Sequence, residues 1–348
     1  MNLPIPSTID EVTTDWLSQA MGVDVGDVSV AQIGEGIGVS SAVYRATLSG
    51  GGPDSVVVKL PALAEEAVFT STMLRMYIRE VRFFKELATK SPIRVPASYY
   101  GDVDEETSQF VQVMEDMGDL RIVDQNEGMD LADAGQAVDE LARWHATWWN
   151  DCDDLVKSGS IVALTDPIYP AVLPVVFAEG WEKLNAEMKL DPSILQVGPG
   201  WSARMPGLLA SLNGGHNTMC HGDYRADNLL FDAEVNVVLL DFQLTGQGSG
   251  AYDLAYMITQ SLAPDMAGEH EADLFERYKA GLISSGVPEA QTEDLWDRYR
   301  EAALFCLAYP VIASRGMDLN DERQFQLIEN MNTRFARAVD QLNLVDLM

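Results

Sequence analysis

Three polar residues in the stretch HGDYRADNLLFDAEVNVVLLDFQ, residues 221–243, have types and spacing that suit phosphoryl transfer. Asp223 and Asn228 form an H-x-D-x-x-x-x-N pattern with the leading histidine, and Asp241 ends the β-branched run that follows. Transfer from ATP needs an acidic group to orient the attacking hydroxyl and oxygen ligands to fix Mg²⁺ on the phosphates. We expect Asp223 to be the base, and Asn228 and Asp241 to be the metal ligands. Arg225 lies two residues after the base, where a cation could meet the γ-phosphate in the transition state.

Composition and charge exclude several classes of partner. The chain has 348 residues and a formal net charge of -31, from 54 acidic and 23 basic residues. Such a charge repels nucleic-acid phosphates and anionic lipids, so we expect neither nucleic acid nor membrane as a partner. The acidic excess is spread along the chain, which is more typical of a solubility feature than of a site for a cation.

Other features of the sequence indicate a cytoplasmic protein. The chain has no segment like a signal peptide and no apolar run long enough to cross a bilayer. Its three cysteines are far apart, which argues against a disulfide framework and for a reducing compartment. We expect a monomer or a homodimer.

The elements that must position these residues fall into two parts. Strand-like runs VSVAQI, AVYRATL and SVVVKL are separated by a glycine-rich turn and a hairpin turn, and VPASYYGDV and QFVQVM follow a helical pattern over residues 65–88. This order predicts a five-stranded antiparallel sheet that carries one helix. Helical patterns dominate afterwards, at residues 131–149, 252–262, 270–284, 292–308 and 321–342. Residues 165–215 are rich in proline and glycine and show no clean period.

The motifs together resemble the small-molecule branch of the protein-kinase-like superfamily. HGDYRADNLLF, then LLDFQ and AYDLAYMITQSL, are similar to the loops of aminoglycoside phosphotransferases, choline kinases and above all the ecdysteroid-kinase-like (CHK) group. The resemblance implies a bilobal α+β protein-kinase-like fold. Its N-lobe, residues 1–118, would bind ATP, and a larger, mostly helical C-lobe, residues 119–348, would hold the catalytic loop and the substrate region.

The resemblance implies a lysine on the third strand and a glutamate on the following helix. VVVKL supplies Lys59 in the third predicted strand, and its three valines indicate a buried strand. Glu80 is the expected partner, because it lies beside Tyr77, Val81 and Phe84 on the apolar face of the predicted helix. Asp253, in AYDLAY, resembles the acid that braces the catalytic loop. We expect His145 and His221 to be buried structural residues.

The glycine turn and the link between the lobes complete the nucleotide site that the resemblance implies. Backbone groups of Gly34, Gly36 and Gly38 would approach the phosphates, with hydroxyl donors from Ser40 and Ser41. The pattern is G-x-G-x-G, which departs from the G-x-G-x-x-G of protein kinases. Backbone groups in the link would hydrogen-bond adenine, and the candidates are Met114, Glu115, Asp116 and Met117. Gln243 replaces the glycine of a D-F-G triplet.

The acceptor is expected to be a small molecule with a hydroxyl group. The short FQLTGQGSGAY between Asp241 and Asp253 leaves no room for an activation segment, and no A-P-E follows, so a protein substrate is disfavoured. An apolar, steroid-like alcohol suits the CHK resemblance, whereas an aminoglycoside- or choline-like cation is the alternative. Five aromatic residues could line its pocket or form ordinary core: Trp148, Trp149, Tyr169, Trp181 and Trp201.

Other functional classes fit the sequence less well. A dinucleotide-binding dehydrogenase needs a helix directly after the glycines, but VSSAVYRATL alternates as a strand. No G-x-S-x-G marks a serine hydrolase, and the histidines and cysteines lack zinc-ligand spacing. A catalytically silent nucleotide-binding protein stays open as an alternative, although it has no chemical need for Lys59, Asp223, Asn228 and Asp241 together.

Overall fold

The computed structural model describes residues 3–33, 40–234 and 236–348. The chain folds into two compact units. The first comprises Met1–Asp119 and Leu240–Leu244, and the second comprises Leu120–Leu239 and Thr245–Met348. The short segment that contains Asp241 therefore belongs to the first unit, although the residues on both sides of it belong to the second.

The first unit contains a five-stranded antiparallel sheet, as the sequence predicts, and the strand order in the structure is β1-β2-β3-β5-β4. The strands are β1 Val25–Ile33, β2 Ser41–Gly50, β3 Ser55–Pro61, β4 Ser98–Val103 and β5 Phe110–Glu115. Alternate residues of β2 and β3 are buried, because successive side chains of a strand point to opposite faces. Their apolar face packs with Trp16 and Leu17 of α1 Thr14–Met21.

The helical region of the first unit differs from its prediction in two places. The stretch MNLPIPSTIDEVTTDWLSQAM predicts a capped helix that begins after Ser7 or Thr8. The first α-helix instead begins after Thr13, whose side chain accepts a hydrogen bond from the Trp16 N–H. The helix expected over residues 65–88 is divided into α2 Glu65–Met73 and α3 Met76–Arg82, followed by a π-helical turn Phe83–Leu87. The division falls at Arg75, whose φ of 54° is left-handed and ends the α2 ladder.

Helices dominate the second unit, as predicted. They are α4 Leu131–Thr147, α5 Asp153–Ser158, α6 Ile168–Glu187, α7 Pro192–Leu212, α8 Ala251–Ser261, α9 Pro264–Ser284, α10 Leu295–Phe305, α11 Ala308–Gly316 and α12 Glu322–Gln341. Two of them, α6 and α7, occupy the stretch where the sequence shows no period. Pro174, Pro199 and Pro206 lie inside these two helices, and prolines normally mark helix ends, which explains why the pattern was missed.

Two small three-stranded sheets frame the loop that contains Asp223. One has the order β10-β9-β6, with β6 Arg121–Ile122, β9 Leu229–Phe231 and β10 Val237–Leu239. The other has the order β7-β11-β8, with β7 Val162–Ala163, β8 Thr218–Cys220 and β11 Gly246–Gly248. The three cysteines are free and buried. Among the described residues, no helix is both long and apolar enough to span a membrane.

Close packing of α6 against α11 gives a stability prediction. A Cβ at Gly180 would overlap the carbonyl oxygen of Val311, and backbone atoms cannot turn aside as a side chain can. We expect Gly180→Ala to lower the free energy of unfolding by about 1–3 kcal/mol, measured by urea denaturation. Gly268→Ala is the matched control, because its Cβ would meet only Gln341 Oε1, at 3.5 Å, in an ordinary contact. The control should be neutral or stabilising by up to about 1 kcal/mol; equal losses at both glycines would contradict the packing argument.

Candidate active site

Lys59, Glu80 and Asp241 form a charged cluster in the first unit. Strand β3 places Lys59 in the interior with 7% of its surface exposed, and α3 presents the fully buried Glu80. Lys59 Nζ lies 2.6 Å from Glu80 Oε1 and 3.6 Å from Asp241 Oδ1. The pairing of Lys59 with Glu80 that the sequence suggested is therefore present in the structure. Its role in nucleotide binding stays a prediction.

The two carboxylates determine the charge state of Lys59. Burial by itself opposes protonation, but the carboxylates of Asp241 and Glu80 outweigh it and raise the pKa of Lys59. Burial raises the pKa of Glu80, the Asp241 charge adds to this, and the Lys59 ammonium opposes it. We conclude that the lysine stays protonated, because it has two anionic neighbours. The cluster holds one buried cation in place between two carboxylates.

Asp241 is held in an unusual backbone conformation directly after β10. Its φ is 62°, in the left-handed region that aspartate tolerates better than most residues. The next residue, Phe242, is fully buried and stacks on Phe83 with ring centroids 3.6 Å apart. This stacking fixes the segment against the first unit. The Asp241 carboxylate remains 30% exposed and is therefore accessible to a ligand.

Ser40 and Ser41, the predicted phosphate donors, both contact Gln243. Ser40 donates its hydroxyl proton to Gln243 Oε1 at 2.5 Å, and Ser41 Oγ accepts a hydrogen bond from Gln243 Nε2 at 2.5 Å. The hydroxyl proton of Ser40 is thus donated to Gln243. The hydroxyl proton of Ser41 is donated to no group in the described part of the chain. Gly34, Gly36 and Gly38 lie outside the described residues.

The predicted adenine-binding residues lie at the end of β5 and just after it. Met114 and Met117 are buried, and the Glu115 N–H donates to the Ala97 carbonyl oxygen at 2.8 Å. An adenine contact from Glu115 would therefore have to use its carbonyl oxygen. The Asp116 carboxylate accepts hydrogen bonds from Arg45 and Ser55, which leaves only its backbone for a base.

Asp253 braces the loop that contains Asp223 in the second unit, as the resemblance implied. This fully buried carboxylate accepts hydrogen bonds from the backbone N–H of His221, at 2.5 Å, and of Gly222, at 2.9 Å. His145, also fully buried, has Nε2 3.1 Å from Asp253 and Nδ1 2.7 Å from the Tyr278 hydroxyl. Both histidines are fully buried, as expected, and His221 Nδ1 accepts from the Asp223 N–H.

Cys220 lies near His145 and Asp253, and the ligand atoms of the three lie within 4.8 Å of one another. These atoms already have protein partners, because the Cys220 thiol donates to the Ser249 carbonyl oxygen. Burial raises the pKa of this thiol well above its usual value. The group is a hydrogen-bonded brace.

Two neighbours within the loop hold the Asp223 carboxylate. Arg225 Nε lies 3.2 Å from Asp223 Oδ1, and Asn228 Nδ2 donates to Asp223 Oδ2 at 2.8 Å. Arg225 also pairs with Asp227, whose carboxylate accepts the Gln125 N–H. Burial opposes the Arg225 charge, but the adjacent carboxylates, Asp223 foremost, raise its pKa. Arg225 therefore orients Asp223, while its contact with the phosphate stays a prediction.

A pair of stacked tyrosines beside Asp223 was missed at the sequence level. Tyr256 of α8 lies against the Asp223 carboxylate, and its ring stacks on Tyr309 with centroids 3.6 Å apart. Burial raises the pKa of the Tyr256 phenol well above its usual value, and the Asp223 charge adds to this. The Tyr309 hydroxyl donates to the Gly222 carbonyl oxygen at 2.8 Å. The sequence AYDLAY gave one indication that Tyr256 lies near the loop. Tyr256 is three residues after Asp253 and hence on the same side of the helix.

The remaining oxygen atoms of the predicted metal ligands suit Mg²⁺. The Asn228 amide nitrogen donates to the Asp223 backbone and carboxylate, so its oxygen is left as an acceptor. Asp241 Oδ1 faces Lys59 and the Gln243 N–H, while Oδ2 makes no hydrogen bond within the described part of the chain. Amide and carboxylate oxygens are the ligands that this hard cation prefers. Each of the two residues, taken by itself, offers an oxygen atom that fits the metal.

The five aromatic residues proposed for an acceptor pocket mostly pack as core. Trp201 is fully buried and stacks on Phe177, and Trp148 and Tyr169 are also buried. Trp181 is half-buried and lies against Gly198 between α6 and α7. Trp149 is half-buried, and its indole N–H donates to Gln291. They provide no observation in favour of an aromatic box.

Comparisons with known proteins confirm the resemblance. A sequence profile of the phosphotransferase enzyme family (APH) matches residues 32–301. The structure of the gentamicin complex of APH(2″)-IIa is similar at 16% identity and a TM-score of 0.54, over 99% of this chain and 97% of that chain. Choline kinase from Cryptosporidium parvum is similar at 12% identity and a TM-score of 0.55, over 90% and 88%. The GDP and kanamycin complex of APH(2″)-IIIa is similar at 14% identity and a TM-score of 0.57, over 94% and 98%.

At these identities, the likeness shows a shared fold, which is the α+β fold expected from the sequence. A search of curated protein sequences finds no match.

The Asp253 brace gives a second stability prediction. In Asp253→Asn, one carboxylate oxygen becomes an NH₂ group that faces a backbone N–H or His145. We expect the free energy of unfolding to fall by about 2–4 kcal/mol in urea denaturation, because a buried donor is left facing another donor. Asp265→Asn, at an exposed position in the first turn of α9, is the control and should change it by about 0.5 kcal/mol or less. A loss no larger than that of the control would show that Asp253 is not the brace.

Proposed function

The chain belongs to the phosphotransferase enzyme family, and we propose that it transfers the γ-phosphoryl group of ATP, with Mg²⁺, to a hydroxyl group of a small molecule. The observation that carries this proposal is the buried cluster of Lys59, Glu80 and Asp241, with Nζ–O distances of 2.6 and 3.6 Å. A lysine held protonated by two carboxylates, next to an exposed carboxylate oxygen, suits a ligand made of phosphates and a divalent cation.

The nucleotide is assigned to residues of the first unit. Lys59 would pair with the phosphates, and the Ser41 hydroxyl would donate to them, together with backbone groups of Gly34, Gly36 and Gly38. Backbone groups of residues 114–117 would hydrogen-bond adenine. Mg²⁺, held by Asn228 and Asp241, would neutralise phosphate charge. Since one structural relative is a GDP complex, GTP belongs beside ATP in the first binding assay.

Asp223 is assigned the role of the base. The acceptor oxygen would attack the γ-phosphorus, the bond from that phosphorus to the β–γ bridging oxygen would break, and the acceptor proton would pass to Asp223. ADP carries away the electron pair of the broken bond. Asn228 and Arg225 hold the Asp223 carboxylate for this step, at 2.8 and 3.2 Å. The Arg225 guanidinium is also the cation assigned to the charge that develops on the phosphoryl group.

The acceptor is proposed to be an apolar, steroid-like alcohol. The ring faces of Tyr256 and Tyr309 lie beside Asp223, and the neighbouring carboxylate of Asp227 is already paired with Arg225. Tyr256 is buried, so Tyr309, which is half-buried, is the ring of this pair that an apolar acceptor would contact. A cationic acceptor is the second candidate, favoured by the net charge of -31 and by relatives whose names include gentamicin, kanamycin and choline.

Asp223→Ala tests the reaction. Label transfer from γ-labelled ATP with Mg²⁺ into pooled sterols, aminoglycosides, choline analogues and sugars should fall by about 10²–10⁴-fold, because the acceptor loses its base. Nucleotide affinity, measured by calorimetry, should stay within about threefold of wild type, since a lost base affects the transition state more than nucleotide binding. Asp273→Ala, at an exposed position of α9, is the control and should leave transfer unchanged.

Three other outcomes of this assay are informative. Unchanged phosphoryl transfer in Asp223→Ala would contradict the assignment of Asp223 as the base. Wild-type protein that binds nucleotide but phosphorylates no pool would favour the silent kinase-fold alternative. Failure of the wild type to bind any nucleotide would overturn the proposed function.

Ionic strength separates the two acceptor classes. The KM of an apolar alcohol should change less than about twofold between about 0.05 and 0.5 M salt, because burial of apolar surface is not screened. The KM of a cationic acceptor should rise about tenfold or more over the same range, since its attraction to the acidic protein is screened. A steep rise for the acceptor identified by label transfer would replace the steroid-like alcohol with the cation.

A further inference from the structure

We infer that Gln243 is a positioning residue that ties the start of β2 to the Lys59–Glu80 pair and thereby determines nucleotide affinity. The inference rests on the proposed function, since it concerns how tightly the first unit holds ATP. Gln243 occupies the position where a D-F-G triplet has glycine, so its side chain adds contacts that a glycine lacks.

The Gln243 side chain makes three hydrogen bonds at once and is 1% exposed. Its Oε1 accepts from the Ser40 hydroxyl at 2.5 Å, while Nε2 donates to Ser41 Oγ at 2.5 Å and to Glu80 Oε2 at 3.0 Å. The two oxygens of Glu80 are thus divided, since Oε1 contacts Lys59. The carboxamide connects the Lys59–Glu80 pair to the residues that follow the glycine turn.

Only an amide satisfies these three partners together. An ionised Glu80 can only accept hydrogen bonds, so the group facing it must donate. Ser40 presents a donor, so the group facing it must accept. A carboxylate at position 243 would face the carboxylate of Glu80, and the two negative charges would repel each other. An apolar side chain would leave Ser40, Ser41 and Glu80 without these hydrogen bonds.

The direction of these bonds leaves one hydroxyl proton for a ligand. Ser41 Oγ accepts from Gln243, and in the described part of the chain it donates to no other group. Ser40, by contrast, donates its hydroxyl proton to Gln243 Oε1. Gln243 therefore orients Ser41, 8% exposed at the first position of β2, as the donor for a phosphate oxygen.

The backbone of Gln243 extends the same connection to the predicted metal ligand. Its N–H points to Asp241 Oδ1 at 3.4 Å, the oxygen that also faces Lys59. One residue thus touches the serine pair, the carboxylate that holds Lys59, and Asp241. Its loss should weaken the nucleotide site as a whole and leave the acceptor side unaffected.

Nucleotide and acceptor affinities of Gln243→Met test the inference. This variant keeps the length of the side chain and removes both polar atoms of the amide group. We expect the Kd of ATP·Mg²⁺, measured by calorimetry, to rise about tenfold, while the KM of the acceptor stays within about twofold of wild type. Gln247→Met is the matched control, because Gln247 is likewise buried and donates to a carboxylate, Asp153, at 2.8 Å. The control should lose comparable thermal stability and keep wild-type nucleotide affinity.

An exchange of the amide and the carboxylate gives a readout that misfolding cannot imitate. Gln243→Glu puts three carboxylates around Lys59, and Glu80→Gln removes one of its two, so each single variant should bind ATP·Mg²⁺ about tenfold or more weakly. The double variant restores two carboxylates and a donor–acceptor pair between positions 80 and 243. The affinity of the double variant for ATP·Mg²⁺ should be about tenfold or more higher than the affinity expected from multiplying the two single losses.

The outcomes separate this inference from the proposed function. Wild-type protein that binds no nucleotide overturns the proposed function. If the wild type binds nucleotide, wild-type affinity in Gln243→Met, or strictly multiplicative losses in the double variant, overturns the role of Gln243 and leaves the proposed function standing. A rise in the acceptor KM equal to the rise in nucleotide Kd would also overturn it, because a general structural loss would then suffice.

Discussion

The first unit depends on one constraint, which is that the buried ammonium group of Lys59 needs a charged partner. Removing a charge from water is costly unless a partner is held at hydrogen-bond distance, and Glu80 provides that partner at 2.6 Å. Each element near this pair can be understood through that requirement. Strand β3 delivers the lysine, α3 delivers the glutamate, and the stacking of Phe242 on Phe83 brings Asp241 close enough to raise the pKa of Lys59. The break at Arg75 lets α3 begin afresh and present Glu80 to the sheet.

In the second unit, one buried carboxylate, that of Asp253, satisfies the backbone N–H groups of a loop. The loop around His221 and Gly222 has backbone N–H groups that no strand or helix satisfies, and Asp253 accepts both of them. Asp253 is fully buried on α8, and its hydrogen-bond partners among the described residues are those donors and His145. The same helix carries Tyr256 to Asp223, so one short helix both supports the loop and contacts its predicted base.

The sequence predicted well those features that local pattern determines. The strands of the first unit follow from alternation and turn residues, and the Lys59–Glu80 pair follows from a buried strand and a helix face. The division of residues 65–88 was missed, because a single left-handed residue such as Arg75 leaves no mark on an apolar period. Helices α6 and α7 were missed because packing overrides the proline signal inside them. The contacts of Gln243 with Ser40 and Ser41 join residues about 200 positions apart, and no local rule reports such contacts.

The segment Leu240–Leu244 constrains how this protein could be cut into parts. The chain leaves the first unit after Asp119, returns for these five residues, and leaves again, so no single contiguous stretch encodes that unit. A fragment that ended at Asp119 would lack Phe242, and its Phe83 ring would lose a stacked neighbour 3.6 Å away. It would also leave Lys59 with one carboxylate in place of two. Split-protein reporters or domain grafts built from this chain would therefore need to carry residues 240–244 in covalent connection with the sheet, for example through a circular permutation.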